Sequence, residues 1–326
     1  MRPKISVIIP CFNSSKTILR TLNSLERQTF QEFEVILIDD GSQDNTLQCV
    51  QDYRSHSSLQ LYVHSQKNFG VSDARNKGIK SANANWLMFL DADDVYHFDC
   101  LRILYQTISR GCDTAFGYTS RDVTSVETDR KEIPTRSVSG VEIDRGMELF
   151  MFEKERIHFT NFIYSKQLLD TYQISFSSGV KYGEDLEFTW KYLAHCKKVA
   201  VVNYPVYGYY NNPHSAVNTI LWRKTDLADA MLRTKEYIEK NHPTFSKQFA
   251  QYMLPRAIWT VSKTFAVGRQ HKMFTIFHNQ YHVRRYMKTL TQSARSRLLK
   301  TSSLLYLVSP TLFYYSIQGI YHFKNR

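Results

Sequence analysis

The stretch WLMFLDADD, residues 86–94, decides the fold class of this 326-residue chain. Five mostly apolar residues, enough for a strand, run directly into Asp91, Asp93 and Asp94. A buried strand that ends in carboxylates places them where open α/β sheets bind ligands. Because carboxylates this close repel one another, the pattern favours a site shared by a hard divalent cation and a phosphate-bearing ligand. The alternative is a helix cap formed by Asp94 or Asp99, with the other acids solvated.

Other strands in the first hundred residues repeat this pattern. Apolar runs at residues 5–10, 33–38 and 59–63 alternate with helical segments, and the second run ends in Asp39 and Asp40. Such alternation is typical of a parallel, doubly wound sheet. No GxGxxG follows the first strand and no GxxxxGK[ST] occurs anywhere. A dinucleotide oxidoreductase and a P-loop enzyme are therefore disfavoured, and the acids favour a sugar nucleotide whose diphosphate is held by a metal ion.

Charge is distributed unevenly along the chain. The formal net charge is +12, no Asp or Glu follows Glu239, and residues 256–326 alone hold twelve Lys or Arg. A basic appendage on a neutral body predicts a polyanionic neighbour, either nucleic acid or an anionic membrane surface. The five cysteines are widely spaced without a CxxC pair, which indicates reduced thiols in a cytosolic protein. The apolar run at the N-terminus is too short for a signal peptide.

Four segments resemble, in order and spacing, the successive motifs of family 2 glycosyltransferases. They are SVIIPCFN at 6–13, SLERQTFQEFEVILIDDGSQDNT at 24–46, NFGVSDARNKGI at 68–79 and WLMFLDADD at 86–94. The resemblance implies a Rossmann-like α/β fold of the GT-A type, with a mixed, mainly parallel sheet flanked by helices. Its looser pattern extends to about residue 215, which implies a catalytic domain at 1–218 with a nucleotide-sugar half up to residue 95 and an acceptor half from 96. After residue 220 the strand signals fade and long helical patterns follow, broken by Pro243, Pro255, Gly268 and Pro310, which predicts a basic C-terminal helical appendage at 219–326.

The same resemblance implies roles for single residues. Pro10 and Phe12 would line the nucleotide pocket, and Asp40 would hydrogen-bond the base with Asp39 beside it. Asp91 and Asp93 would form the DxD pair and share the Mn²⁺ or Mg²⁺, with Asp91 near the ribose and Asp93 on the metal that bridges the two phosphates. The loop that holds Asn68, Gly70 and Ser72 precedes a helix, where backbone amides are suited to face the nucleotide. For Arg75 and Asn76, packing and ligand contact are both open.

The segment GEDLEFTW at 183–190 has two interpretations. By itself it is a helix start with acids in its first turn. Beside the upstream motifs it resembles the family's Glu-Asp motif. Asp185 would then be the catalytic base that takes the proton of the acceptor hydroxyl, and Glu184 would orient the acceptor. His214 lies where related enzymes have a loop that closes over the donor, so a metal or phosphate role stands beside a solvated or structural one.

Two further stretches carry expectations about surfaces. Residues 121–139 are polar, which predicts a surface loop facing the acceptor. Residues 301–321 carry no charge and have basic flanks. Their length allows a membrane span, but Ser, Thr and Pro310 dilute the apolar content, so a helix in the headgroup layer is the first choice. Packing on the catalytic domain or on a dimer partner, and spanning, are the alternatives.

These observations predict an inverting glycosyltransferase that moves a sugar from a nucleotide-diphosphate sugar, expected to be a UDP-sugar. The acceptor would be a lipid-linked or polymeric glycan of exopolysaccharide, capsule or cell envelope. The enzyme is expected in the cytoplasm, peripheral at the inner face of the plasma membrane, with a homodimer through the C-terminal helices left open. A nucleic-acid-binding protein and a sugar nucleotidyltransferase are the alternatives. Paired acids repel a phosphate backbone, so no nucleic-acid partner is expected.

Overall fold

The computed structural model of the chain describes residues 2–152, 156–210 and 222–324. Contacts between Cα atoms divide these residues into two compact units. The sheet unit comprises residues 2–179 and 195–210, and the helical unit comprises 180–194 and 222–324. Each unit has its own core and is described by itself.

The first half of the sheet unit is parallel. Its strands lie in the order β3-β2-β1-β4 and every residue of β1 and β2 is buried. Central strands covered on both faces need such continuous apolar runs. The strands are β1 (Ile5–Cys11), β2 (Phe33–Asp39), β3 (Leu61–Ser65) and β4 (Trp86–Phe89), and the connecting helices are α1 (Ile18–Glu26), α2 (Thr46–Arg54) and α3 (Val71–Ser81).

The second half of the sheet mixes directions. From β4 the order continues β8-β6-β9-β5, and β7 pairs with β9, so the nine strands of the described chain form one mixed sheet. The new strands are β5 (Val95–Tyr96), β6 (Thr114–Ser120), β7 (Val138–Glu142), β8 (Phe162–Ser165) and β9 (Lys198–Gly208), with helices α4 (Cys100–Ile108), α5 (Val123–Thr128), α6 (Ile143–Phe152) and α7 (Lys166–Thr171). The predicted α/β class, with helices flanking a mixed, mainly parallel sheet, is confirmed.

A glycine sets how closely α3 approaches the sheet. A Cβ atom on Gly78 would lie 2.3 Å from Cγ2 of Ile8 in β1. Because real Cβ atoms do not come this close, any larger residue would push α3 away from the strand. The glycine of the NKGI segment is therefore a packing requirement.

The polar stretch at 121–139 is not a plain loop. Asp122 caps α5 by accepting a hydrogen bond from the Ser125 amide at 3.1 Å. The stretch then runs into β7, which pairs antiparallel with β9 over five residues. The stretch is mostly exposed, as a surface excursion would be, and it can still hold β7 because an edge strand needs only backbone pairing and leaves one polar face in water.

The helical unit confirms the predicted C-terminal helical appendage. It contains α8 (Glu184–Leu193), α9 (Asp226–Asn241), α10 (Pro243–Val267), α11 (His271–Gln280), α12 (Val283–Ser293), α13 (Arg297–Val308) and α14 (Pro310–Lys324). Trp190 of α8 packs against the rings of Phe245 and Phe249 in α10. This contact groups α8 with the C-terminal helices, whereas the sequence assigned it to a domain at 1–218. That functional division stays a prediction.

Pro255 was expected to break a helix, but it lies inside α10. A proline cannot donate to the carbonyl four residues earlier, which here belongs to Gln251. The hydroxyl of Ser293 in α12 donates to that carbonyl at 2.5 Å. The neighbouring helix thus replaces the missing donor, and α10 continues.

Residues 301–321 do not form one helix. α13 ends at Val308, Ser309 is extended, and Pro310 begins α14. Within the described ranges, no helix has both the length and the apolar content that crossing a membrane requires.

Candidate active site

The predicted nucleotide residues meet at one edge of the sheet. β1 lies between β2 and β4, and Cys11 at its end is aligned with Asp39 at the end of β2. Pro10 is buried in β1, and Phe12, directly after it, leaves 44% of its surface exposed. Because parallel strands share their carboxyl edge, three separate segments of sequence contribute to the same crevice.

Asp40 holds the loop in front of α3. Its Oδ1 accepts hydrogen bonds from Gln66 Nε2 at 2.8 Å and from the Phe69 amide at 3.0 Å. Its Oδ2 accepts from the Gly70 amide at 2.8 Å. The sequence predicted a contact between Asp40 and the base. The structure gives this buried carboxylate the additional task of fixing the loop.

The loops after β1 and β2 are tied to each other. The Asn13 amide donates to Ser42 Oγ at 2.9 Å, and the Gln43 amide donates to Asn13 Oδ1 at 2.8 Å. Asp39 accepts from the Ser42 amide at 3.3 Å. Asn13 adopts a left-handed φ of 50°, which asparagine tolerates better than most residues. The floor of the crevice is therefore ordered by side chains from both loops.

The start of α3 faces the same edge. Gly70 precedes the helix with φ 98°, a conformation that favours glycine. Asn68 is exposed, whereas Ser72 is only 2% exposed and its hydroxyl has no hydrogen-bond partner in the described part of the chain. The first amides of a helix are not used by the helix itself, so this end offers donors to an anionic ligand.

Asp91 to Asp94 form a tight turn after β4. The Asp94 amide donates to the Asp91 carbonyl at 3.1 Å. Asp91 and Asp93 remain partly exposed, and Asp94 is buried. Arg75 of α3 donates from Nη2 to Asp91 Oδ1 at 3.0 Å.

Arg75 and Asn76 of α3 both have partners within the sheet unit. The Arg75 guanidinium pairs with Asp91 and also lies over the rings of Phe159 and Phe176, 4.4 and 5.3 Å from their centroids. Asn76 exchanges two hydrogen bonds with the backbone of Phe176, at 2.8 and 2.9 Å. Arg75 thus belongs to the acid cluster, and Asn76 joins α3 to the segment before residue 179.

Asp94 does not cap a helix. It accepts hydrogen bonds from the Tyr207 hydroxyl and, at 2.7 Å, from the Tyr210 amide. Burial, and then the charges of Asp91 and Asp93, raise the pKa of Asp94 to about 8. This carboxyl ties the end of β9 to the acidic turn. Asp99, the other expected cap, makes no capping bond to α4 and instead accepts from Thr29 at 2.7 Å and from Arg102.

Sequence reasoning missed a row of side chains that position the acidic turn from α1. Arg20 Nη2 donates to the Asp93 carbonyl at 2.7 Å, and Thr21 Oγ1 donates to the Asp94 carbonyl at 2.8 Å. Ser24 Oγ accepts from the Tyr96 amide at 3.3 Å, and Gln28 Nε2 donates to the His97 carbonyl at 2.9 Å. We call Arg20, Thr21, Ser24 and Gln28 the α1 clasp. A signal was present, because Thr21 and Ser24 are polar residues on the apolar, buried side of α1, and Gln28, two residues after the end of the helix, is polar and buried as well.

The acidic turn fits a divalent cation in its chemistry. Asp91 and Asp93 supply hard oxygen donors, and Mg²⁺ or Mn²⁺ is commonly held by one or two carboxylates together with substrate phosphates. No group of three or more His, Cys, Asp or Glu that could hold a metal occurs among the described residues. A cation here would therefore complete its coordination with ligand oxygens or water.

Asp185 and Glu184 lie in the helical unit, in the first turn of α8. Gly183 before them is left-handed at φ 86°, and a Cβ there would meet Leu227 at 2.9 Å. Glu184 is buried and Asp185 is partly exposed. His214, the third residue predicted to hold the metal, lies outside the described residues.

A buried ion pair fixes α8 within the helical unit. Glu187 accepts from Arg233 Nη2 of α9 at 2.7 Å and from Lys191 Nζ at 2.8 Å. Burial alone would raise the pKa of Glu187, but the bonds to Arg233 and Lys191 hold it below its usual value. The helix that carries Asp185 is therefore held firmly at its first turn.

Solved structures resemble this chain over almost its whole length. The structure of Staphylococcus aureus TarS 1–349 in complex with UDP-GlcNAc is matched with a TM-score of 0.66 and 23% identity, over 98% of this chain and 91% of that one. The Pyrobaculum calidifontis mannosyltransferase PcManGT in complex with GDP-Man and Mn²⁺ is matched with a TM-score of 0.56 and 16% identity, over 95% and 88%. At these identities the likeness establishes the GT-A fold.

Sequence relatives include two bacterial proteins. The poly(ribitol-phosphate) β-N-acetylglucosaminyltransferase TarS of S. aureus is 31% identical over 220 residues, and the uncharacterized glycosyltransferase EpsJ of Bacillus subtilis is 25% identical over 226. The matches cover 63% and 66% of this chain but only 35% of TarS and 63% of EpsJ. The model of glycosyl transferase family 2 matches residues 6–173, just over half of the chain. With its acids gathered at the carboxyl edge of a GT-A sheet, the chain belongs to family 2 of the glycosyltransferases.

Proposed function

We propose that this glycosyltransferase moves a sugar, with inversion, from a UDP-sugar to a hydroxyl of a lipid-linked or polymeric glycan in cell-surface polysaccharide synthesis. The observation that carries the proposal is the convergence of Asp39 and Asp40 with Asp91 and Asp93 at one sheet edge. The UDP-GlcNAc named for TarS supports the choice of donor, and the polymer in TarS's name supports the acceptor class.

The donor would lie along the crevice from β2 to β4. Pro10 and the exposed ring of Phe12 offer an apolar surface for the base, with Asp40 and Asp39 as its acceptors. The amides around Gly70 and the Ser72 hydroxyl would turn toward the phosphates, since a helix start favours negative charge. Asn68, on the exposed part of the same loop, would contact the nucleotide from outside.

The acidic turn would hold the cation. Asp93 is the proposed ligand, Asp91 assists it and lies near the ribose, and Arg75 keeps Asp91 in place. When bound, Mn²⁺ or Mg²⁺ supplies positive charge that stabilises the departing nucleoside diphosphate. The α1 clasp would keep the turn in one conformation through the reaction.

Asp185 is the proposed catalytic base. An inverting transfer needs one carboxylate to remove the proton of the acceptor hydroxyl as its oxygen attacks the anomeric carbon. Glu184 would orient the acceptor. Functionally, we assign residues 1–218 to catalysis and 219–326 to association with a membrane or a partner, and we place the enzyme at the inner face of the plasma membrane, close to lipid-linked acceptors.

A two-part experiment tests these roles. A panel of UDP-sugars with Mn²⁺ or Mg²⁺ is screened by thermal shift, and release of UDP is then followed with lipid-linked glycan acceptors. We expect Asp93→Ala and Asp185→Asn both to abolish transfer with unchanged thermal unfolding, while Asp52→Asn, on the exposed face of α2, behaves as wild type.

The two variants should differ in binding. Asp93→Ala should lose the metal-dependent thermal shift with UDP, whereas Asp185→Asn should keep it, because only the first residue is proposed to meet the metal. Normal turnover in either variant would refute its assignment. Release of diphosphate from a nucleoside triphosphate would identify a nucleotidyltransferase instead.

A further inference from the structure

The last two helices expose an apolar strip. Its members are Leu304 and Val308 of α13 and Leu312 and Tyr315 of α14, with 53%, 76%, 47% and 60% of their surfaces exposed. Leu304 and Val308 are four residues apart, and Leu312 and Tyr315 are three apart, so each pair lies on one helix face. The pairs flank the single residue, Ser309, that joins the helices.

These side chains are not needed to anchor the helices, because other faces already do so. Tyr306 and Phe313 are buried and pack on the ring of Phe274 in α11. Ser302 accepts a hydrogen bond from Trp259 Nε1 at 3.0 Å. The strip is therefore apolar surface left in water beside a completed core, and clustered exposed apolar side chains are typical of an interaction site.

Basic residues border the strip. Lys300 and Arg297 precede Leu304 by four and seven residues and are exposed on the same side of α13. Arg295 and Lys288 are exposed nearby in sequence. No acidic residue follows Glu239 in the chain to oppose these charges.

We infer that the strip and its basic border bind an anionic lipid bilayer surface, with the apolar side chains entering the headgroup layer. An apolar face with Tyr and flanking Lys or Arg is what a helix lying in that layer requires. A nucleic acid or other soluble polyanion would use the charges but leave the strip in water. A second copy of the chain would bring two strips with basic borders together, which like-charge repulsion opposes.

The inference deepens the membrane part of the proposed function, but it concerns binding and not transfer. The full chain is mixed with phosphatidylcholine vesicles with or without phosphatidylglycerol, and bound protein is measured by flotation. We expect binding to the anionic vesicles and little to the neutral ones. Neutralising Arg297 and Lys300 to Gln should weaken binding about fivefold per charge.

The apolar contribution has a matched control. The double variant Val308→Ser/Tyr315→Ser should weaken vesicle binding by about tenfold or more, because two largely exposed apolar side chains no longer enter the interface. Tyr62→Ser, at an exposed tyrosine of β3, should bind as wild type. Both should unfold at the wild-type temperature and keep donor binding, so a failure of this inference leaves the proposed chemistry untouched.

Three results would overturn the inference. The first is absence of binding to anionic vesicles. The second is binding that ignores the Val308→Ser/Tyr315→Ser change and is matched by salt-sensitive binding to RNA or polyphosphate, which would indicate a soluble polyanion. The third is a dimer, seen by light scattering, that this variant dissociates, which would assign the strip to a second copy of the chain.

Discussion

Thr21→Val should disturb the acidic turn without touching any proposed ligand group. Thr21 is fully buried, and its hydroxyl donates to the Asp94 carbonyl 73 residues away in sequence at 2.8 Å. Valine has nearly the same shape, so packing is retained while the carbonyl loses this donor. Leaving a buried acceptor unpaired costs about 1–3 kcal/mol, and we expect that loss in free energy of unfolding.

The effect should extend to the donor site, because the same turn carries Asp91 and Asp93. Urea denaturation gives the change in stability, and hydrogen exchange shows whether the Tyr96 amide, held by Ser24, becomes less protected. The metal-dependent thermal shift with UDP reports the site, and we expect it to be smaller in the variant.

Thr234→Val is the matched control. Thr234 is also fully buried, but its hydroxyl donates to the carbonyl of Ala230 in its own helix, which the helix backbone already pairs. We expect a smaller loss of stability and an unchanged response to UDP. If Thr21→Val were no more destabilising than this control and bound UDP with metal normally, the clasp would not position the turn.

Three further changes test other parts of the structure. Gly78→Ala should lower the free energy of unfolding by about 1–3 kcal/mol, because its Cβ would overlap the side chain of Ile8 in β1. Gly140→Ala, with open space around it, should leave that free energy unchanged. Urea denaturation compares the two variants, and equal stability would contradict the packing argument. Asp40→Asn should speed hydrogen exchange at the Phe69 and Gly70 amides, which donate to this carboxylate. The reason is that an asparagine side chain has one acceptor oxygen where a carboxylate has two. Unchanged exchange would show that other contacts hold the loop. Because the pKa of Glu187 is lowered in the folded state, its stabilisation should be present above the unfolded value of about 4.3 and be lost as pH falls through the folded pKa. The free energy of unfolding of Glu187→Gln, measured against pH, should therefore lack this decrease on the acid side. A pH profile identical to that of the wild type would refute the role of Glu187.

The α1 clasp and the ion pair between Arg75 and Asp91 both counter the repulsion between carboxylates in the acidic turn. Three carboxyl groups lie within one turn, and the Arg75 guanidinium pairs with Asp91 at 3.0 Å. The backbone of the turn is also held by α1, where Arg20 and Thr21 donate to the carbonyls of Asp93 and Asp94. These two hydrogen bonds therefore oppose a movement of the turn backbone away from the repulsion between its carboxylates.

The sequence by itself determined the fold class and the grouping of four acids at one sheet edge. Runs such as residues 5–10 and 33–38 are apolar without interruption, and only strands covered on both faces need that pattern. Acids directly after such strands must meet at one edge once the strands are parallel, so Asp39, Asp40, Asp91 and Asp93 could be grouped from their positions alone. Local pattern and chain direction were sufficient.

Only the tertiary structure decided which partner each polar group takes. Three sets of hydrogen bonds join residues that are far apart in sequence. They are those of the α1 clasp, those between Asp40 and the loop before α3, and the bond from Ser293 to the carbonyl that Pro255 leaves without a donor. Periodicity reports how much of a side chain is buried, averaged over a few residues, but a hydrogen bond depends on distance and angle between elements packed in three dimensions. For this reason the sequence could locate the acidic turn, and only the packed structure shows what holds it in place.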